Sequence, residues 1–135
     1  MDKFYKQLGT TPKIGIADNN SIKFIELFNI IRCEADGKYT QFYLRGGIKE
    51  TSSKNLGEYE EQLNEHNFLR VHDSHIINLD KVVRYIRGDG GEIVMNDDTH
   101  IPVSRAHKSA LLTKLNIKTG FRKFFSSFFE DSTMK

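Results

Sequence analysis

The sequence holds a single cysteine and no long apolar run, and each shortage excludes something. Cys33 alone cannot close an internal disulfide, so folding has to rely on a packed core. The first residues lack the charged-then-apolar pattern of a secretory leader, and the cytoplasm is the expected compartment. No apolar stretch approaches the roughly 20 residues needed to cross a bilayer. The most apolar candidate, Ile22 to Ile31, is interrupted by Lys23, Glu26 and Asn29, so no membrane partner is expected. Acidic residues are missing from Thr99 to Phe129, a stretch that carries Arg105, Lys108, Lys114, Lys118, Arg122 and Lys123. The net charge is only +2, so the positive charge is local. A local cationic face suits phosphate attraction, although a solvated helix face would carry the same residues.

What is present is enough for one domain with a core of its own. The chain has 135 residues, of which 38% are hydrophobic, and the ten Phe and five Tyr supply large buried surfaces. Turn signals recur at short intervals: Asp18-Asn19-Asn20, Asp36-Gly37, Gly46-Gly47, Asp89-Gly90-Gly91 and Asn96-Asp97-Asp98. Between them lie segments of strand character at Lys13 to Ala17, Ser21 to Ile25, Ile30 to Glu34, Tyr39 to Leu44 and Ile48 to Thr51. Val82 to Ile86, Glu92 to Met95 and His100 to Val103 complete the set. The expected fold class is mainly β, built from antiparallel strands with two to three helices.

Helical periodicity marks Asn55 to His66, with Leu56, Tyr59 and Leu63 on one side and Ser53 as the expected N-cap. Its other face carries Glu58, Glu60, Glu61 and Glu65, which would repel a phosphate backbone and mark this helix as scaffold. A second helix should start after Ser104, whose hydroxyl can cap it, and run to about Asn116 with Arg105 and Lys108 on one face. A third pattern spaces Phe121, Phe124, Phe125, Phe128 and Phe129 as an apolar stripe, which needs a cover: the domain itself, a second copy or another partner.

His72-Asp73-Ser74-His75 contains the residue types of a hydrolase triad. Read as one extended segment, however, it points neighbours to alternate faces, which defeats a triad and a His72/His75 metal pair alike. Gly88-Asp89-Gly90-Gly91 lies between strand patterns, where a hairpin explains its glycines better than a phosphate cradle does. The chain is therefore expected to be no enzyme and to need no cofactor or metal.

The run Phe68-Leu69-Arg70-Val71-His72-Asp73-Ser74-His75-Ile76-Ile77-Asn78-Leu79, followed by Val103-Ser104-Arg105, resembles the LytTR family. The front half agrees, because Ile30 to Thr40 looks like that family's strand, acidic turn and Gly-x-Tyr loop. The family is the DNA-binding output domain of bacterial response regulators of the LytR, AlgR and AgrA kind. The resemblance implies an elongated arrangement of small antiparallel sheets whose loops, not a recognition helix, enter the major groove. It covers about Pro12 to Leu115 and divides the chain into a tail or linker (1–11), the DNA-binding domain (12–116) and an amphipathic extension (117–135).

Carried over by motif, the DNA-binding residues would be Lys38 and Tyr39, then Arg70, His72, Asp73 and Ser74, then Ser104, Arg105 and Lys108. Arg105 has the planar fork that reads guanine O6 and N7, and Lys108 is a phosphate contact. Tyr39 either supports Lys38 or packs inward as the first residue of an alternating strand. Asp73 departs from the basic or amide residue usual in the family; it can accept from cytosine N4 or hold Arg70 in position. The implied partners are double-stranded DNA, a second copy on repeated sites, and a receiver domain or sensor kinase upstream. The rival reading is a protein-interaction module of the same fold that has lost DNA binding and works through the Phe stripe.

Overall fold

The computed structural model describes residues 11–117. Among these residues ten strands form three antiparallel sheets: a hairpin, a central five-stranded sheet and a three-stranded sheet. In chain order the strands are β1 Lys13–Ala17, β2 Ile22–Glu26, β3 Ile30–Asp36, β4 Tyr39–Leu44, β5 Lys49–Ser52, β6 Phe68–His72, β7 His75–Asn78, β8 Val82–Ile86, β9 Glu92–Met95 and β10 His100–Pro102. The central sheet has the order β5-β4-β3-β7-β6, β1 pairs with β2, and β10-β9-β8 form the third sheet. Among the described residues two α-helices accompany them, α1 Leu56–Asn64 and α2 Arg105–Lys114.

Alternation builds the central sheet. Thr40, Phe42 and Leu44 of β4 turn inward while Gln41 and Tyr43 stay half-buried on the other face. Because its strands carry apolar residues on both faces, this sheet separates two cores. On one side β1 and α1 cover it, and Ile14, Ile16, Ile30, Cys33, Phe42, Leu56, Tyr59, Leu63 and Ile76 pack together. On the other, the three-stranded sheet and α2 bury Ile31, Val71, Ile77, Ile93, Met95, Ile101, Val103 and Leu111. Ile30 and Ile31, like Ile76 and Ile77, serve opposite cores. Each such side chain contributes about 1.5–3 kcal/mol of burial.

Several polar groups inside are paired. Tyr59 Oη lies 2.6 Å from Ser52 Oγ, and its ring meets Phe42 edge-on at 5.0 Å, which ties α1 to the sheet. Asn78 is more than a local turn former. Its Nδ2 donates to the Ile30 carbonyl at 2.9 Å while its Oδ1 accepts from the Asp80 amide. The cap of α1 is Asn55, whose Oδ1 accepts from the Glu58 amide at 3.0 Å. Ser53, the expected cap, instead donates from Oγ to the Ala17 carbonyl because the helix begins two residues further on.

The principal correction concerns residues 68–78, which the strand pattern had not divided. They form a hairpin, β6 and β7, with the turn at Asp73-Ser74. No Gly, Pro or Asn marks it, because a side chain closes it: His72 Nδ1 accepts the Ser74 amide at 3.0 Å. The Phe121 to Phe129 stripe lies outside the described residues.

Candidate nucleic-acid interface

Backbone hydrogen bonds bring the predicted segments together. The β3–β4 turn, with Gly37 at φ +63°, presents Lys38 and Tyr39 at its tip, both exposed. Tyr39 is 44% exposed and does not pack inward; at the tip the sheet has no core beneath it, and Thr40 is the first residue to turn in. The β6–β7 turn lies beside this tip, since the Ala35 amide donates to the Ser74 carbonyl at 2.9 Å. The start of α2 adjoins the same turn, because the Ser104 amide donates to the Val71 carbonyl at 2.9 Å. All three segments thus share one end of the central sheet.

The side chains along this edge do different work. Arg105 is exposed and forms no hydrogen bond or ion pair among the described residues, and Lys108 is half-buried on the same helix. Ser104 holds the N-cap position without capping: its Oγ lies 2.6 Å from His107 Nδ1. The first amides of α2 are therefore not taken by the serine hydroxyl, and no acidic side chain stands in that turn. Such an end attracts an anion.

Arg70 is built into the scaffold. Its Nη1 binds Glu60 of α1 at 2.7 Å, its Nε donates to the His72 carbonyl, and its Nη2 to the Asp73 carbonyl. It fixes the turn from below, through backbone carbonyls and not through the Asp73 carboxylate. Asp73 stands exposed at the apex, and Ser74 is half-buried behind it.

The turn overturns one geometric expectation. His72 and His75 do not point apart; they pair directly across the hairpin with ring centroids 5.3 Å apart. No group of three or more His, Cys, Asp or Glu suited to a metal occurs among the described residues. His75 Nδ1 and the nearby Arg32 Nε are buried without a hydrogen-bond partner among those residues. This cluster carried no sequence signal, because the cross-strand pairing that assembles it depends on the unmarked turn.

Burial holds the His75 pKa below its ordinary value; Glu34 opposes the shift, and His72 and Arg32 reinforce it. In the window below 6.5, the unfolded chain binds a proton that folded His75 refuses, so stability falls as pH drops toward the lowered value. Urea titrations at about pH 7.5 and about pH 5.5 should show His75→Asn losing less stability than the wild type. Equal losses would remove His75 as the cause.

Comparisons with known proteins identify the family and the fold. The family profile described as LytTr DNA-binding domain matches residues 20–116. The heme-containing CO-sensing transcriptional regulator RcoM 1 of Paraburkholderia xenovorans (strain LB400) is 32% identical over 108 residues, 78% of this chain and 40% of that protein. RcoM 2 of the same strain is 31% identical over the same shares. The match thus spans well under half the length of these relatives. A LytTr DNA-binding domain of a putative methyl-accepting/DNA response regulator from Bacillus cereus superposes with a TM-score of 0.66 at 19% identity, covering 78% of this chain and 98% of that one. That likeness shows the same fold. With the profile covering most of its length, the chain belongs to the LytTr DNA-binding domain family.

Proposed function

We propose that this chain binds duplex DNA sequence-specifically, as the DNA-reading part of a transcriptional regulator, by placing the edge formed by the β3–β4 turn, the β6–β7 turn and the start of α2 in a major groove. One observation carries the reading: three separate segments, joined by the Ala35–Ser74 and Ser104–Val71 hydrogen bonds, present Lys38, Arg105 and Lys108 from a single end of the sheet. Arg105 reads a guanine edge. Lys38, Lys108 and the α2 amides hold phosphates, and Ser74 adds a hydroxyl. Arg70 and His72 position the turn, and Asp73 at its apex selects a cytosine N4 or rejects other bases. Two copies on repeated half-sites would extend the contact, and a sensory, receiver or kinase partner would supply the signal.

Selection of bound duplexes from a random pool at near-physiological salt tests this reading. Recovery of a shared element, repeated at one-turn spacing, supports it. No enrichment at any salt concentration would sink it and leave the interaction module, which the exposed Asp73 carboxylate favours. On the selected element, Lys108→Ala should lower the slope of log K against log salt by about one, because one counterion-releasing contact is removed. An unchanged slope would place Lys108 away from the backbone.

A further inference from the structure

A cavity of about 790 Å³ opens at the end of the central sheet away from the two turns. Its lining shows which end it is: Leu27 and Phe28 just before β3, Phe68 at the start of β6 and Asn78 at the end of β7. The floor is buried, with Leu27 at 5% and Phe68 at 3% exposure. At the rim Phe28 is 61% exposed, its ring approached by Lys81 at 4.2 Å and Arg45 at 5.1 Å. The exposed ring continues the apolar floor out to the rim. Acidic residues also stand on the rim. Glu26, Glu65 and Asp80 line it, and neither Glu26 nor Glu65 has an ion-pair partner among the described residues.

The chain itself leads to this groove. Thr11 and Pro12 are part of its lining, and the Pro12 carbonyl accepts from the Leu27 amide at 3.0 Å. The segment immediately ahead, Lys3-Phe4-Tyr5-Lys6-Gln7-Leu8, has the complementary chemistry: Phe4, Tyr5 and Leu8 for the apolar floor, Lys3 and Lys6 for the free carboxylates. Leu8 lies three residues from Thr11, a reach of at most about 10 Å, so the tether is short and its effective concentration high.

We propose that this groove is the docking site of the chain's own segment Lys3–Leu8. Seated there, the segment is fastened to the ends of β3 and β7 whose opposite ends carry the two turns. A region joined ahead of Lys3 would then be linked mechanically to the proposed DNA edge. The docking itself stands or falls independently of DNA binding.

Two measurements on the full chain test it. In amide NMR spectra, Phe4→Ser/Leu8→Ser should shift the signals of Glu26–Phe28 and Glu65–Asn67 while leaving Gly37–Tyr39 in place. Under mild oxidation, Leu8→Cys/His66→Cys should form a disulfide within one molecule; Cys33 is buried and stays out of the exchange. Adding Glu26→Lys/Glu65→Lys, both on the rim, should abolish that disulfide. Unmoved groove amides would overturn the proposal. So would a disulfide formed only between two molecules, which would make a second copy the occupant, or one indifferent to the charge reversal.

Discussion

An Arg105→Ala variant is expected to bind its preferred duplex about 5- to 140-fold more weakly, a loss of about 1 to 3 kcal/mol, and to stop discriminating at one base pair. The expectation follows from the difference between the two arginines of the edge. Arg70 spends its guanidinium on Glu60 and on the carbonyls of His72 and Asp73. Among the described residues Arg105 has no such commitment, and it stands exposed at the first position of α2. A planar fork free of internal partners can donate both hydrogen bonds to O6 and N7 of guanine. Arg105→Lys separates charge from geometry: it should keep the salt dependence and lose the base preference, because an ammonium cannot donate in a fixed fork. Competition binding on a series of single-base variants of the selected element checks both. If Arg105→Ala binds every duplex as the wild type does, Arg105 is no base reader.

Much of the fold was readable wherever a single physical rule acted alone. Strands β1, β4, β8 and β9 have the predicted limits: alternation marks β1 and β4, and strand-forming residues beside turn residues mark β8 and β9. The acidic face of α1 reads as scaffold, and Glu60 on that helix holds Arg70. Failures occurred where a side chain replaced a backbone signal. His72 closes the β6–β7 turn through Nδ1, so a sequence without Gly or Asn hid a hairpin, and with it the His72–His75 pairing. Ser104 and His107 bond each other, so a good capping residue sits at the cap and does not cap. Asn55 took the role assigned to Ser53 because both are competent caps and only the tertiary position of the helix start decides between them. For the candidate site, the motif named segments that backbone hydrogen bonds bring to one end of the sheet. It could not show that Arg70 is an internal brace, because that depends on where α1 crosses β6.

The same edge should be sensitive to a residue that touches no DNA. Leu111 is the one α2 side chain that is fully buried, at 0% exposure, and it packs with Val71, Ile93, Ile101 and Val103 in the second core. Leu111→Ala should cost about 2–5 kcal/mol, transfer and cavity terms together. That is a large share of the roughly 5–15 kcal/mol by which domains are stable. The cost should also appear locally. Arg105 and Lys108 lie one to two turns before Leu111, and α2 meets the sheet chiefly at β6, so a loosened helix misplaces both cations while the turns stay put. At a temperature where the variant remains folded, affinity should fall and discrimination at the base pair read by Arg105 should weaken, in the direction of Arg105→Ala but less completely. Urea unfolding and the same competition series give the two readings. A stability loss below about 1 kcal/mol would mean that α2 is anchored elsewhere than through Leu111.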